Sequence, residues 1–274
     1  MLWFVSANVL ANQTMLPFLP WLLSISLLFI LIYSYRVILE DQSKRWVTHA
    51  FRHYLNPELV RKLADDPDTL RLGGERRRVV VLFADLAGFT TTSEEMKDAP
   101  EELVAHLNSF FQIIGENIEL HHGYIDKFIG DAVMGVWGAP IEISNPERSA
   151  IKAAIGCIKE INAWNSRTDN KLKINMRIGV SAGDVVAGNL GTEKRFNYTV
   201  IGDAVNRAAR LEQENKRLKT TLLFDANIAD QLPPELGAKF IEEVVLRGQK
   251  TPTKLFTLDL STKVKAMHDR DIGY

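Results

Sequence analysis

The chain has 274 residues, 46% hydrophobic and 24% charged, with 33 basic and 34 acidic side chains. That supports one or two folded domains with a real core, and a net charge of −1 excludes both a strongly basic nucleic-acid binder and an acidic disordered tail. The one cysteine, Cys157, excludes an intramolecular disulfide framework and a multi-cysteine zinc site.

The charge is unevenly spread: every charged side chain lies beyond Tyr35, the first being Arg36. After a short segment at 1–15, residues 16–35 read LPFLPWLLSISLLFILIYSY. At 1.5 Å per residue this run makes about 30 Å of helix, the thickness of bilayer hydrocarbon. Trp21 at one end and Tyr33 and Tyr35 at the other suit the two interfaces. A signal peptide would want a basic leader and a small-residue cleavage site, and neither is present. The expectation is a transmembrane helix, single-pass. Arg36, Lys44, Arg45 and Arg52 follow it closely, so the positive-inside rule puts the rest of the chain on the cytoplasmic side of the inner membrane.

Residues 36–74 read as a helical connector, with Asn56 capping a second short helix that has Pro57 at its first position. Residues 75–260 carry the alternating elements of a folded domain, and 261–274 form a C-terminal tail. The apolar run VVVLFADL predicts a strand ending at Asp85. A helix follows from about Pro100 to Leu120, with Leu103, Leu107, Phe110, Phe111, Ile114 and Ile118 on one face. Two short strands, YIDKFI and AVMGVWG, are joined by Gly130-Asp131. Asn145-Pro146-Glu147 opens a helix to about Trp164 by cap and first-position rules. The stretch INMRIGVSAG is expected to turn at Gly183-Asp184 into VVAGNLG, before FNYTVIG and a helix from Asp203 to about Glu214. TTLLF, a short helix near Ala226, FIEEVVL and TKLFTLDL finish the domain. The order strand–helix–strand–strand–helix–strand predicts an α+β fold, a ferredoxin-like split β-α-β core with a C-terminal subdomain, preceded by the transmembrane helix and connector.

Two aspartates occupy special places. Asp85 ends an apolar strand and Asp131 sits in a tight turn between two others. Neighbouring strands lie about 4.8 Å apart, so two such carboxylates can share a divalent cation. The turn Leu86–Thr90, with Gly88 permitting close approach, offers backbone N–H groups to a phosphate. Both aspartates also suit plain turn positions, and spacing alone leaves the two readings open.

The blocks VVVLFADLAGFT, GYIDKFIGDAVMGVWG, RIGVSAGDVVAGNLG and YTVIGDAVNRAARLE resemble the class III nucleotidyl cyclase catalytic domain in order and spacing. The resemblance covers about residues 72–260. It implies that Asp85 and Asp131, with Leu86 beside them, hold two divalent ions, Mg²⁺ or Mn²⁺, against a triphosphate. It places Gly88, Phe89 and Thr90 at the phosphates. Lys127 matches the family's purine-reading lysine, where guanylate cyclases carry a glutamate. Thr199 matches the second purine-reading position in an adenine-reading subgroup. Asn206 would orient the ribose, and Arg210 would stabilise charge on the α-phosphate.

The family site lies between two chains, with metal aspartates from one and Lys127, Thr199, Asn206 and Arg210 from the other. Holding both half-sets, this chain is expected to form a homodimer, to bind ATP and to bind no nucleic acid. One departure stands out: the family's triphosphate-contacting lysine aligns with Gln249, in Arg247-Gly248-Gln249-Lys250. Gly73-Gly74-Glu75-Arg76 resembles a diguanylate-cyclase signature but precedes the first predicted strand, and it reads as a linker turn. The rival functions are a guanylate cyclase and a catalytically silent cyclase-homology module that only dimerises. No sensor domain is recognisable, which leaves the input signal open.

Overall fold

A computed structural model describes residues 18–51, 72–167, 173–193 and 195–259, with side chains along the first stretch described for 20–36. The chain divides into two units, Met1–Arg61 and Lys62–Tyr274.

Among the described residues, the first unit contains one helix, α1 (Phe18–Phe51). Helical structure therefore runs without a break from the uncharged sequence past Arg36 into the expected connector. The second connector helix, from Asn56, lies outside the described residues. The large apolar side chains from Trp21 to Tyr35 are all at least 58% exposed, so no face of this described stretch is covered. Among the described residues no helix is long and apolar enough to cross a membrane, and the expected span is thus not found there.

The second unit is built on one sheet. Its strands are β1 (Gly73–Leu86), β2 (Tyr124–Ile129), β3 (Ala132–Trp137), β4 (Met176–Thr192), β5 (Arg195–Ile201), β6 (Leu222–Asp225), β7 (Ala238–Val244) and β8 (Thr253–Leu258). They lie in the order β2-β3-β1-β4-β6-β8-β7, with β5 paired to β4. The helices are α2 (Phe89–Glu95), α3 (Pro100–Leu120), α4 (Pro146–Ser166), α5 (Asp203–Leu218) and α6 (Ala226–Ala229). The antiparallel order β2-β3-β1-β4 is the expected split β-α-β core, and β6, β8 and β7 extend it.

The apolar run at 79–82 is continuous because both faces of β1 are covered. Val80, Leu82 and Ala84 join the core beneath α3 and α4, while Val79 and Val81 join a second cluster with Ala204 and Ala208 of α5. Cys157 is fully buried among α4's core residues, and burial pushes its thiol well above the ordinary value. Thiol reagents at neutral pH should leave the native protein unlabelled and modify one thiol per chain after denaturation. Rapid labelling of the folded chain would contradict this placement.

Three local expectations are corrected. Gly73 and Gly74 are not a linker turn: they pair with Asn189 and Gly188 of β4, and a Cβ at Gly188 would lie 2.1 Å from the Gly73 carbonyl oxygen. Gly183-Asp184 is not a turn either. β4 runs through it without interruption, Gly183 pairing with Val79. The glycine instead gives room to α5, since a Cβ there would meet Ala204 Cβ at 3.2 Å. Finally, Asn145 adopts a left-handed conformation before α4 with no side-chain cap, and Pro146 alone follows its expected role.

Candidate active site

The two aspartates come together. Asp85 is paired across β1 and β3 with Ala132, and Asp131 immediately precedes that residue in the hairpin between β2 and β3. Gly130, the first residue of this two-residue hairpin loop, takes φ +63°, as a tight hairpin turn requires. Burial raises the pKa of Asp131, and the negative charge of Asp85 raises it further. Leu86 turns its side chain into the core and is 3% exposed, which leaves its backbone carbonyl as the one group able to meet a cation.

Two residues that sequence reasoning did not single out complete this end of the sheet. Arg177, paired with Asp85 across β1 and β4, places Nη2 2.5 Å from Asp85 Oδ2. Its Nε donates to Glu212 Oε1 at 2.8 Å. Glu212 lies on the buried side of α5, and burial, then the charge of Asp85, pushes its pKa up to about 7 against the pull of Arg177. The signal for Arg177 is its register opposite Asp85, which only the β1–β4 pairing reveals.

Among the described residues no group of three or more His, Cys, Asp or Glu side chains could hold a metal ion. The donor set fits a divalent cation all the same. Mg²⁺ is commonly held by one or two carboxylates, with waters and substrate phosphate oxygens completing its shell. After burial, the charge of Asp85 makes Asp131 harder to ionise, a repulsion that a divalent cation would relieve.

Beyond Asp85 the chain turns at Gly88, which takes φ +85° and opens α2. The Ala87 N–H is already committed to the Asn175 carbonyl at 2.7 Å. Phe89 and Thr90 begin the helix, where first-turn N–H groups have no intrahelical acceptor. The expected turn is thus the start of a short helix.

A second constellation forms on β2 and β5. Lys127 Nζ donates to Thr199 Oγ1 at 3.1 Å, joining the two expected base-reading residues. Asp126, which sequence reasoning passed over, binds both. It accepts from the Thr199 hydroxyl at 2.8 Å and lies 3.2 Å from Lys127 Nζ. Its other oxygen is 3.3 Å from the Tyr124 hydroxyl. Adjacent strand residues normally face opposite ways, which hides Asp126 in the sequence. The register of β2 against β3 shifts between Ile125 and Lys127, and such a bulge breaks the alternation. Burial holds the Asp126 carboxyl above the usual carboxylate range, with Thr199 and Lys127 pulling it back.

Asn206 is exposed on α5, and Arg210, one turn on, contacts Gln213 at 3.1 Å. Glu212 is two residues beyond Arg210, about 200° round the helix, and points to Arg177. The face carrying Asn206 and Arg210 is therefore turned away from the Asp85 end of its own sheet. Gln249, at the position of the phosphate lysine, is taken up internally: it donates to Asp203 at 3.1 Å and accepts from Thr253 at 3.0 Å.

Comparison with known proteins agrees with this fold. The family model for the adenylate and guanylate cyclase catalytic domain matches residues 74–258. An uncharacterised protein of Mycobacterium tuberculosis is 38% identical over 195 residues, which is 70% of this chain and 34% of that protein. Another, from Mycobacterium bovis, is 38% identical over 188 residues, 68% of this chain and again 34% of the relative. The chain thus spans a minor part of the length of these curated relatives. The solved guanylyl cyclase Cya2 superposes with TM-score 0.62 at 30% identity, covering 68% of this chain and 94% of that one. The adenylyl cyclase CyaB from P. aeruginosa gives 0.59 at 26%, covering 68% and 96%. A bacterial light-regulated adenylyl cyclase shares the fold, with TM-score 0.70 at 22% identity over 83% of this chain and 65% of its own. With the four sequence blocks, the split sheet and the family match coinciding over one stretch, the chain belongs to the adenylate and guanylate cyclase catalytic-domain family.

Proposed function

We propose that this chain is an adenylate cyclase, converting ATP to 3′,5′-cyclic AMP and pyrophosphate in two equivalent sites of a homodimer. The observation that carries the reading is the hydrogen bond between Lys127 and Thr199, residues far apart in sequence that meet as a pair able to face a purine edge. Lysine donates to the N1 acceptor of adenine and repels the N1–H of guanine, and the threonine oxygen accepts from the 6-amino group.

Asp85 and Asp131 of one protomer would hold the divalent cations, which when bound neutralise the triphosphate and ease loss of the proton from the ribose 3′-hydroxyl. The partner contributes its own copies of Asn206 and Arg210. Asn206 fixes the ribose so that the 3′-oxygen stands in line with the bond to be broken. Arg210 donates to the α-phosphate oxygens as charge builds on them. The 3′-oxygen, its proton lost to water, forms a bond to the α-phosphorus; the bond from that phosphorus to the α–β bridging oxygen breaks, and pyrophosphate leaves carrying the bridging oxygen.

Turnover of the full chain with ATP and with GTP tests this. Cyclic AMP from ATP, little product from GTP, and neither from an Asp131→Ala chain are expected. Equal turnover of both nucleotides would make the enzyme a purine-indifferent or guanylate cyclase, and no product from a verified dimer would make it a silent module.

The N-terminal unit supports a membrane attachment with the catalytic unit on the cytoplasmic side of the inner membrane. The basis is the uncharged run 16–35, the uncovered apolar side chains from Trp21 to Tyr35, and the basic residues from Arg36 onward. The full chain should float with phospholipid vesicles in a density gradient, and a chain lacking residues 1–35 should stay at the bottom. Flotation of both would sink the assignment.

A further inference from the structure

We propose that Asp126 is a specificity-positioning residue: by accepting the hydrogen bond of the Thr199 hydroxyl it locks that side chain as an acceptor, which admits adenine and rejects any purine carrying a 6-oxo group. This rests on the reading of Lys127 and Thr199 as the residues that face the base.

The inference follows from counting donors and acceptors. A threonine hydroxyl has one proton to give and two lone pairs. That proton is hydrogen-bonded to the Asp126 carboxylate at 2.8 Å. Lys127 Nζ occupies one lone pair at 3.1 Å. One lone pair is left. The lysine ammonium has three protons; one goes to Thr199 and one to Asp126, 3.2 Å away, so one donor is left. The pair therefore presents one acceptor beside one donor, the complement of the adenine edge with its 6-amino donor and N1 acceptor. Guanine and hypoxanthine present the reverse at both atoms, and each would meet like against like.

A free hydroxyl would not discriminate in this way. Rotation about the Cβ–Oγ bond would turn its proton toward a 6-oxo group and convert an acceptor into a donor. Asp126 prevents that rotation. Its side chain is fully buried, it has no proton of its own to offer when ionised, and the Tyr124 hydroxyl on its other oxygen steadies it. The bulge in β2 is what lets Asp126 and Lys127, adjacent in sequence, both reach the same hydroxyl.

The test measures kcat/KM of the full chain for ATP, GTP and inosine triphosphate, in the parent and in the Asp126→Asn, Thr199→Val and doubly substituted chains. In the parent, inosine triphosphate should be rejected nearly as strongly as GTP, because rejection arises at the 6-position and N1 and not at the 2-amino group. In Asp126→Asn the amide can donate to Thr199, the hydroxyl can then turn, and the preference for ATP over inosine triphosphate should fall about tenfold or more, mainly through KM. With Thr199→Val already present, adding Asp126→Asn should leave the remaining preference unchanged, which a merely structural role for Asp126 would not produce. If Thr199→Val leaves the base preference intact, the base-facing reading itself fails. If Thr199→Val shifts the preference while Asp126→Asn does not, the positioning role alone is overturned. Should Asp126→Asn not fold, the parent still decides: turnover of inosine triphosphate within about threefold of ATP refutes a locked hydroxyl.

Discussion

Chains carrying Asp131→Ala and chains carrying Arg210→Ala are each expected to lose cyclic-nucleotide formation by about two to three orders of magnitude, and the two co-expressed in equal amounts to recover about a quarter of parental turnover. The losses follow from removing a carboxylate that would hold a cation in one case and a donor to the α-phosphate in the other. The recovery follows from the geometry of α5. Arg210 lies about 160° and Asn206 about 120° round α5 from Glu212, the residue bound through Arg177 to Asp85. In the proposed homodimer each nucleotide would therefore draw these groups from both chains. In a mixed dimer one site collects both damaged residues and the other collects both intact ones. Random pairing makes half of the dimers mixed, each with one working site of two. Differently tagged chains, purified through both tags in succession, should enrich that activity further. Recovery no greater than the sum of the separate variants would show that each chain builds its site alone.

The second large effect is expected at Gly179. A Cβ there would lie 2.2 Å from the Ala208 carbonyl oxygen and 2.2 Å from the Glu212 nitrogen, both backbone atoms of α5 that cannot rotate aside. Gly179→Ala should thus lever the helix off β4 at a cost of about 3 kcal/mol, seen as a fall in Tm of roughly 6–12 °C. Because α5 carries Asn206, Arg210 and Glu212, kcat should fall along with stability, at temperatures where the variant is still folded. Gly248→Ala is the control. It places a methyl group where nothing lies within 4 Å, at φ +79°, and should cost only about 1 kcal/mol of backbone strain. Equal melting temperatures for the two variants would contradict the close packing of α5 on the sheet.

Much of the fold was open to sequence reasoning because its signals are local. Pro100 and Pro146 mark helix starts that the structure keeps, and the Gly130-Asp131 hairpin is where its turn residues place it. Glycine misled in two places, because a residue without a side chain serves equally for turning a chain and for letting another backbone come near. At 73–74 and at 183 the second use holds, and only the partners, Gly188 and Ala204, reveal it. The face expected for α3 was also partly displaced: Leu103 and Leu107 are only half-buried, while Ile113 and Asn117 are buried in the core side. Asn117 is a polar residue that no hydrophobic period would select, and it satisfies itself on the Ile113 carbonyl.

Of the site, the residues carrying charge at chain turns were legible, whereas their anchors were not. Arg177 looks like any basic residue entering a strand, and Glu212 like any acid on an amphipathic helix. Each gains meaning only from a contact across the sheet. Gln249 shows the converse. It reads as a missing phosphate ligand, yet its amide ties the 247–253 segment to Asp203 at the head of α5.

The bulge in β2 has a broader consequence. The groups that would recognise a base sit on β2 and β5, and the groups that would meet a triphosphate sit at the end of β1, in the β2–β3 turn, at the start of α2 and on α5. No residue belongs to both sets. A substitution at Lys127 or Thr199 should therefore change which purine is accepted more than it changes the rate of bond making. A sheet of this kind separates recognition from reaction, and neighbours named as guanylyl and adenylyl cyclases share its architecture.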